Sequence, residues 1–379
     1  MRPLTSYSLT IIWRERNRYF PAVLAVAFSA VLIVAQFGML LGMLGAASRP
    51  IDRAAAEIWV GTHPLPSLGF GHPVPETWRA RLAADPDVAW TEPYIFGFGH
   101  WHKQDGGTEL CYIMGSRLGP NALGSFHDLT PEMRTRLAEP GTVVVAARDR
   151  GTLGFDKGKG DIAEISGRRV RIVGLLPGLN SLAFPGVFCS LRTARLLLPA
   201  AGVPEQTTYF LARCRDSGSA AVVAERLSQQ YPEMAVLTRA QFSQQTRWHW
   251  LTKAKAGMVL GFSAVLAVVV GTVVTSQILY AATAASLREY AALRALGIPR
   301  CWMGRLILAQ SFWVGLAGVA IAIPATFAIK GFVYISNLEM VTPGWLLIVT
   351  VFLTFLTALL AGLAALRPLW RIDPISLLR

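Results

Sequence analysis

Two groups of residues in this chain of 379 have types and spacings that could do chemistry. One is a glycine–lysine run, Gly154-Phe155-Asp156-Lys157-Gly158-Lys159-Gly160. A phosphate cradle needs G-x-x-x-x-G-K-[ST], so that backbone N–H groups wrap the phosphates and the lysine reaches the terminal ones. The run lacks a glycine five before Gly158 and lacks Ser or Thr after Lys159, so it reads as a turn. The other is His100-Trp101-His102, with His63 and His72 upstream. On a strand, positions i and i+2 point the same way, so two imidazoles can share a metal. No cysteine or carboxylate cluster completes such a site, and exposed hairpin histidines are the commoner case. There is no G-x-S-x-G or other nucleophile setting. We therefore expect no catalytic residue, bound metal or bound cofactor, and no enzyme activity in this chain.

A third group concerns packing. Gly38 and Gly42, extended by Gly45, and Gly257 with Gly261 are small-x-x-x-small faces, which let helices approach closely. Gly315 and Gly318 form a weaker pair. These glycines sit on long apolar runs. Residues 21–47, 256–285 and 306–329 carry no Asp, Glu, Lys or Arg, and a fourth apolar run covers 345–366. Each meets the roughly 20 residues that cross a bilayer. Hydrophobic content of 53% with only 16% charged residues fits that class. The spans hold no ionisable residue, whereas ion-coupled carriers need one to bind and release the ion, which argues against a secondary transporter.

Between the second and third runs lies a charged island, Ser286 to Arg300, SLREYAALRALGIPR. Its residues are mostly good helix formers, Gly297 suits a C′ position, and Pro299 blocks continuation. Tyr290, Leu293 and Leu296 form an apolar ridge flanked by Arg288, Glu289 and Arg294. Such a helix can lie in the headgroups or dock on a partner.

The formal charge of +13 invites a nucleic-acid reading, but its distribution answers to the membrane. Residues 48–255 hold 24 Lys+Arg and 19 Asp+Glu, while the remainder holds 12 and 4. That second group clusters as Arg2, Arg14, Arg16 and Arg18, then Arg288, Arg294, Arg300 and Arg305, then Arg367, Arg371 and Arg379. Basic residues at alternate loops are the positive-inside signature, placing both ends and the 286–305 loop in the cytoplasm. Residues 1–19 read as a cytoplasmic amphipathic helix. A cleavage site at Gly45-Ala46-Ala47-Ser48 is the alternative, but 27 charge-free residues exceed a signal peptide's apolar stretch of about 7–15.

The expected fold class is a membrane α-helical protein with four transmembrane helices and a large α+β extracytoplasmic domain between the first and second. The expected segments are 1–19, then spans at 20–47, 254–285, 305–330 and 344–366, with the outer domain at 48–250, the island at 286–300 and a tail at 367–379. Within the outer domain, strands are expected at 57–60, 88–98, 110–115, 142–147, 169–176, 187–191 and 207–214, and helices at 76–84 and 219–230. Cys111, Cys189 and Cys214 fall in this domain and Cys301 near the inner face. Three cannot all pair; buried free thiols are expected, with a Cys189–Cys214 bridge as the alternative.

REYAALRALGIPR resembles the R-x-E-x-A-x-L-R-A-x-G segment of FtsX-like, MacB-type ABC permeases, where it is a coupling helix seated in an ATPase subunit. The resemblance implies that role for Glu289, Leu293, Arg294, Ala295, Leu296 and Gly297, with Arg288 and Tyr290 beside them. VVVAARDRGTLGF…GRRVRIVGLL…GVFCSL, SQILYAAT around Gln277 and Tyr280, and the tail RPLWRIDPISLLR resemble the DevC-type branch, named for the heterocyst glycolipid exporter. The likeness implies an inner-membrane exporter subunit working as a homodimer through its first two spans. ATP and Mg would be bound by a separate cytoplasmic ATPase. A periplasmic adaptor, an outer-membrane channel and membrane lipids are the further expected partners. A lipoprotein-extracting permease and a non-transporting transmitter that controls a cell-wall hydrolase are the alternatives within the superfamily. A membrane receptor is the alternative outside it, although the 13 residues after Leu366 offer no output domain.

Overall fold

A computed structural model of the chain describes residues 14, 16–103, 105–155, 159–177, 179, 184–198, 207–285, 299–335 and 339–371. It divides into two compact units, Met1–Gly42 with Met258–Arg379, and Met43–Gly257. Four helices are long and apolar enough to cross a membrane, with an α+β domain between the first and second. They run Arg16–Asp52, Lys255–Ala285, Arg300–Ile335 and Gly344–Arg371. The first helix outlasts the charge-free run that ends at Ala47. Its last turn is held from outside the helix: Ile51 is fully buried in the intervening domain's core, and Asp52 takes an ion pair from Arg247. Pro324 leaves the third helix unbroken, as apolar surroundings allow.

In the first unit the first span is central. Tyr19, Ala22, Val23 and Val26 pack with Val314 of the third span and with Ala358 and Ala361 of the fourth. The second span is the most open, with 22% of its apolar window buried against 56% for the first.

The intervening domain contains, in chain order, β1 Ile58–Thr62, α1 Thr77–Ala83, β2 Val88–His102, β3 Thr108–Ser116, α2 Pro131–Leu137, β4 Thr142–Ala146, α3 Arg150–Leu153, β5 Ile162–Ile165, β6 Arg168–Leu176, β7 Gly186–Ser190, α4 Leu191–Leu197, β8 Tyr209–Cys214, α5 Ala220–Gln230, β9 Met234–Thr238 and α6 Arg239–Thr252. β9, β1, β8 and the first half of β2 form an antiparallel sheet in that order. With α1 after β1 and α5 after β8, this is the split β-α-β, ferredoxin-like arrangement. Strand alternation sends Ile58, Val60, Phe210, Ala212 and Val236 to one face, where Trp78, Leu82, Val223 and Leu227 of the two helices cover them.

A second lobe is inserted between β2 and β8. β2 is 15 residues long and serves both lobes: Val88–Tyr94 pairs with β8, and Ile95–His102 pairs with β3. From there the pairings run β3–β7–β4–β6–β5 and return to β2 at Trp101↔Ile165 and His102↔Glu164. The ring is therefore a closed six-stranded barrel, which leaves no free edge. Its inward residues are Ile95, Trp101, Cys111, Ile113, Val143, Val145, Ile165, Val170, Ile172, Val187 and Cys189. At Gly99 an added Cβ would stand 2.4 Å from the end of the Ile113 side chain, so side chains fill the barrel there.

Each of the seven expected strands is present. The 187–191 strand stops at Ser190, whose side chain accepts from the Thr193 N–H and caps α4 instead. Cys111 and Cys189 lie in the barrel core and Cys214 in the other lobe, and all three are free. A Cys189–Cys214 bridge is thereby excluded.

Candidate functional site

The segment whose residues carry the most specific pattern, 286–300, is bracketed by two spans. The second helix ends at Ala285 and the third begins at Arg300, where the Trp302 N–H bonds to the Pro299 carbonyl at 3.0 Å. Arg288, Glu289, Tyr290, Leu293, Arg294, Ala295, Leu296 and Gly297 lie outside the described residues.

The glycines divide into different uses. Gly38 and Gly42 form a shallow groove on the first span, and the chain's own segment before the fourth span lies in it. Val341 donates its N–H to the Gly38 carbonyl at 3.0 Å, and Met340 is buried against Val34. A Cβ on Gly42 would stand 2.1 Å from the Glu339 carbonyl oxygen, and one on Gly38 3.0 Å from the Met340 side chain. The pair thus accommodates backbone from this same chain. Around Gly45 there is open space. Gly257 is used in another way: an added Cβ would meet the Trp250 carbonyl at 1.7 Å, so it permits the tight passage from α6 into the second span. Gly261 is partly buried on that span. Gly318 of the weaker pair packs on Val26, where a Cβ would come within 2.5 Å.

Sequence reasoning missed where the first two spans meet. Ser29, 5% exposed, donates to the Ala25 carbonyl at 2.8 Å and lies 3.2 Å from the Gly271 carbonyl and 3.3 Å from the Thr275 hydroxyl. A Cβ on Gly271 would stand 3.0 Å from the Ser29 Cβ. Small residues with a shared hydroxyl bond are the packing that apolar solvent favours. The signal was available: a lone Ser inside a charge-free run.

In the intervening domain, His100 and His102 are exposed, and His102 Nδ1 lies 4.0 Å from Glu164. Among the described residues no three His, Cys, Asp or Glu side chains are grouped as metal ligands. Gly154 takes a positive φ of 68° and closes α3, so it ends a helix where a phosphate cradle would begin one. Lys159 pairs with Glu132 at 3.0 Å. Burial pushes the Asp149 carboxyl up to about 6, against the opposing pull of the Gly186 N–H and Arg148.

Among solved structures, the periplasmic region of MacB from Actinobacillus actinomycetemcomitans is 11% identical with a TM-score of 0.33, covering 51% of this chain and 94% of that one. The extracellular domain of the noncanonic ABC-type transporter YknZ from Gram-positive bacteria is 10% identical with a TM-score of 0.32, covering 48% and 98%. Both overlaps are too loose to bear on function. No curated protein matches the chain. Residues 261–374, which hold most of the second span, the 286–300 segment and the third and fourth spans, match the FtsX-like permease C-terminal family.

Proposed function

We propose that the chain is the permease subunit of a MacB-type ABC exporter, the DevC-type branch being the one its residues most resemble. Two copies would work with a separate cytoplasmic ATPase that binds ATP and Mg. The observation that carries the reading is the family match over 261–374, within which REYAALRALG stands between two spans. In this reading residues 286–297 dock on the ATPase, and the first two spans carry its motion to the intervening domain outside the membrane. There the domain moves a lipid-like or other substrate, or drives an adaptor and outer-membrane channel. Coupling requires only that the ATPase favour one arrangement of the spans by a few kcal/mol.

The test is at Leu293. Leu293→Asp would bury an unpaired carboxylate at the docking surface, at a cost of at least a few kcal/mol. With tenfold in affinity for every 1.4 kcal/mol, the ATPase should dissociate by orders of magnitude. Arg294→Ala should cost less, about 1–3 kcal/mol for a charged hydrogen bond. Neither change touches a span, so insertion should persist. ATPase co-purification is measured at equal permease abundance, and retention with full activity in Leu293→Asp rules the docking role out.

A further inference from the structure

Where the first span enters the intervening domain there is a hollow of about 550 Å³ lined by Asp52, Arg239, Ala240, Ser243, Gln244 and Arg247. Its floor is the last turn of the first helix and one face of α6, on which Arg239, Ser243 and Arg247 recur at four-residue spacing. Asp52 and Arg247 are fixed to each other. The Arg247 guanidinium donates to Asp52 Oδ2 at 2.6 Å and to Ser48 Oγ at 2.8 Å, and Ser48 Oγ donates to Asp52 Oδ2 at 2.8 Å. Arg239 is different: it is exposed, reaches only the Ala54 carbonyl at 3.4 Å, and has no carboxylate partner among the described residues. Ser243, 5% exposed, is also among the residues that line the hollow. Two guanidiniums against one carboxylate leave the hollow net positive.

Its position along the chain says what meets it. Asp52 stands five residues beyond the charge-free run that ends at Ala47. At 1.5 Å per residue that is about 7.5 Å, roughly the depth of the headgroup layer on one side of a bilayer. α6 ends at Thr252, just before the second span begins at Lys255, and Trp248 in its last turns is 65% exposed, as interfacial tryptophans are. Both elements that wall the hollow thus lead directly into spans. We propose that the hollow binds the phosphate of an anionic phospholipid headgroup in the outward leaflet, through Arg239, Arg247 and Ser243. Arginine suits a phosphate because its planar donors meet two oxygens at once. The proposal rests on the reading of residues 43–257 as lying outside the membrane.

The experiment uses the full-length chain with its ATPase in nanodiscs of phosphatidylcholine doped with phosphatidylglycerol, and counts phosphatidylglycerol retained by native mass spectrometry. Arg239→Gln leaves the Asp52–Arg247 pair intact and should weaken retention roughly tenfold. Asp52→Asn removes the only lining carboxylate and should strengthen it. Arg53→Gln, whose guanidinium pairs with Asp128 at 2.7 Å away from the lining residues, should change nothing. Retention unaltered in Arg239→Gln, or reduced as much in Arg53→Gln, overturns the site. Competition by millimolar inorganic phosphate overturns the lipid and leaves a free-anion site. ATPase co-purification and outside labelling of Gly107→Cys, read on the same samples, report separately whether the exporter reading and the topology hold.

Discussion

At the scale of single residues, the titratable group with most leverage on the intervening domain is Asp149. Its carboxylate accepts the Gly186 N–H at 3.1 Å, but burial outweighs that bond and holds its pKa at about 6, above the ordinary 3.8. A carboxyl whose folded value is raised contributes stability that is complete below about 4 and is lost as pH rises through about 6. The difference of about two units corresponds to at most about 3 kcal/mol. Asp149→Asn keeps an oxygen acceptor for Gly186 without the charge. It should therefore stabilise the protein at pH 7 and not at pH 4, flattening the dependence between them. Thermal unfolding followed by tryptophan fluorescence from pH 4 to 7.5 reads this directly. Parallel curves for the two proteins would show that another group governs the acid range.

At the scale of elements, glycine spacing does not by itself name what approaches: at Gly38 and Gly42 it is the segment before the fourth span and not another helix. Gly42 meets the backbone of Glu339, which cannot rotate aside, whereas Gly38 meets the flexible end of Met340 and Gly45 meets nothing. Gly42→Ala should cost about 1–3 kcal/mol through overpacking, only partly offset by the better helix propensity of alanine. Gly38→Ala should cost less, and Gly45→Ala should be neutral or gain up to about 1 kcal/mol. Melting temperatures in one detergent check the order. Equal damage at Gly45 would mean that a second copy packs there.

The same contrast runs through the strands. Val143–Ala146 was legible as a β-branched run buried on both faces, and Arg169–Leu176 by its alternation of exposed Arg169 and Arg171 with buried Val170 and Ile172. β5 was missed because four residues of alternating Ile-Ala-Glu-Ile are too short to stand out. Its signal is the Ser166-Gly167 turn, with φ of 50° and 77°, which closes a tight hairpin onto β6. α6 was missed although Thr238 and Gln241 form a capping box at its start. The closure of the barrel is not legible in any local stretch, because β3 pairs in parallel with β7 some 70 residues later. Of the candidate site, the 286–297 pattern was read from its words alone, while the Ser29–Gly271–Thr275 contact was not, because a hydroxyl in an apolar run shows no partner until the two spans are packed.

At the scale of the whole molecule, everything functional turns on which side the intervening domain occupies. Eleven arginines flank the spans at the two ends and in the 286–305 loop, whereas the far end of the third helix and the loop after it carry only Lys330 and Glu339. Basic loops are retained in the cytoplasm, so the arginine distribution predicts the intervening domain and the loop after the third span outside. Single cysteines report this. Gly107→Cys lies in the turn between β2 and β3, where a Cβ meets the side chains of Asp105 at 3.1 Å and Lys103 at 3.4 Å and no backbone. Gly119→Cys is a second position with nothing within 4 Å. Both, and Asn337→Cys, should react with a membrane-impermeant maleimide applied from outside, while Ser286→Cys should react only after the membrane is opened. The native chain is a usable blank in the domain, because Cys111, Cys189 and Cys214 are all buried. Outside labelling at Ser286 would reverse the orientation. It would then put residues 286–297 beyond reach of a cytoplasmic ATPase and the Arg239 hollow on the inner leaflet.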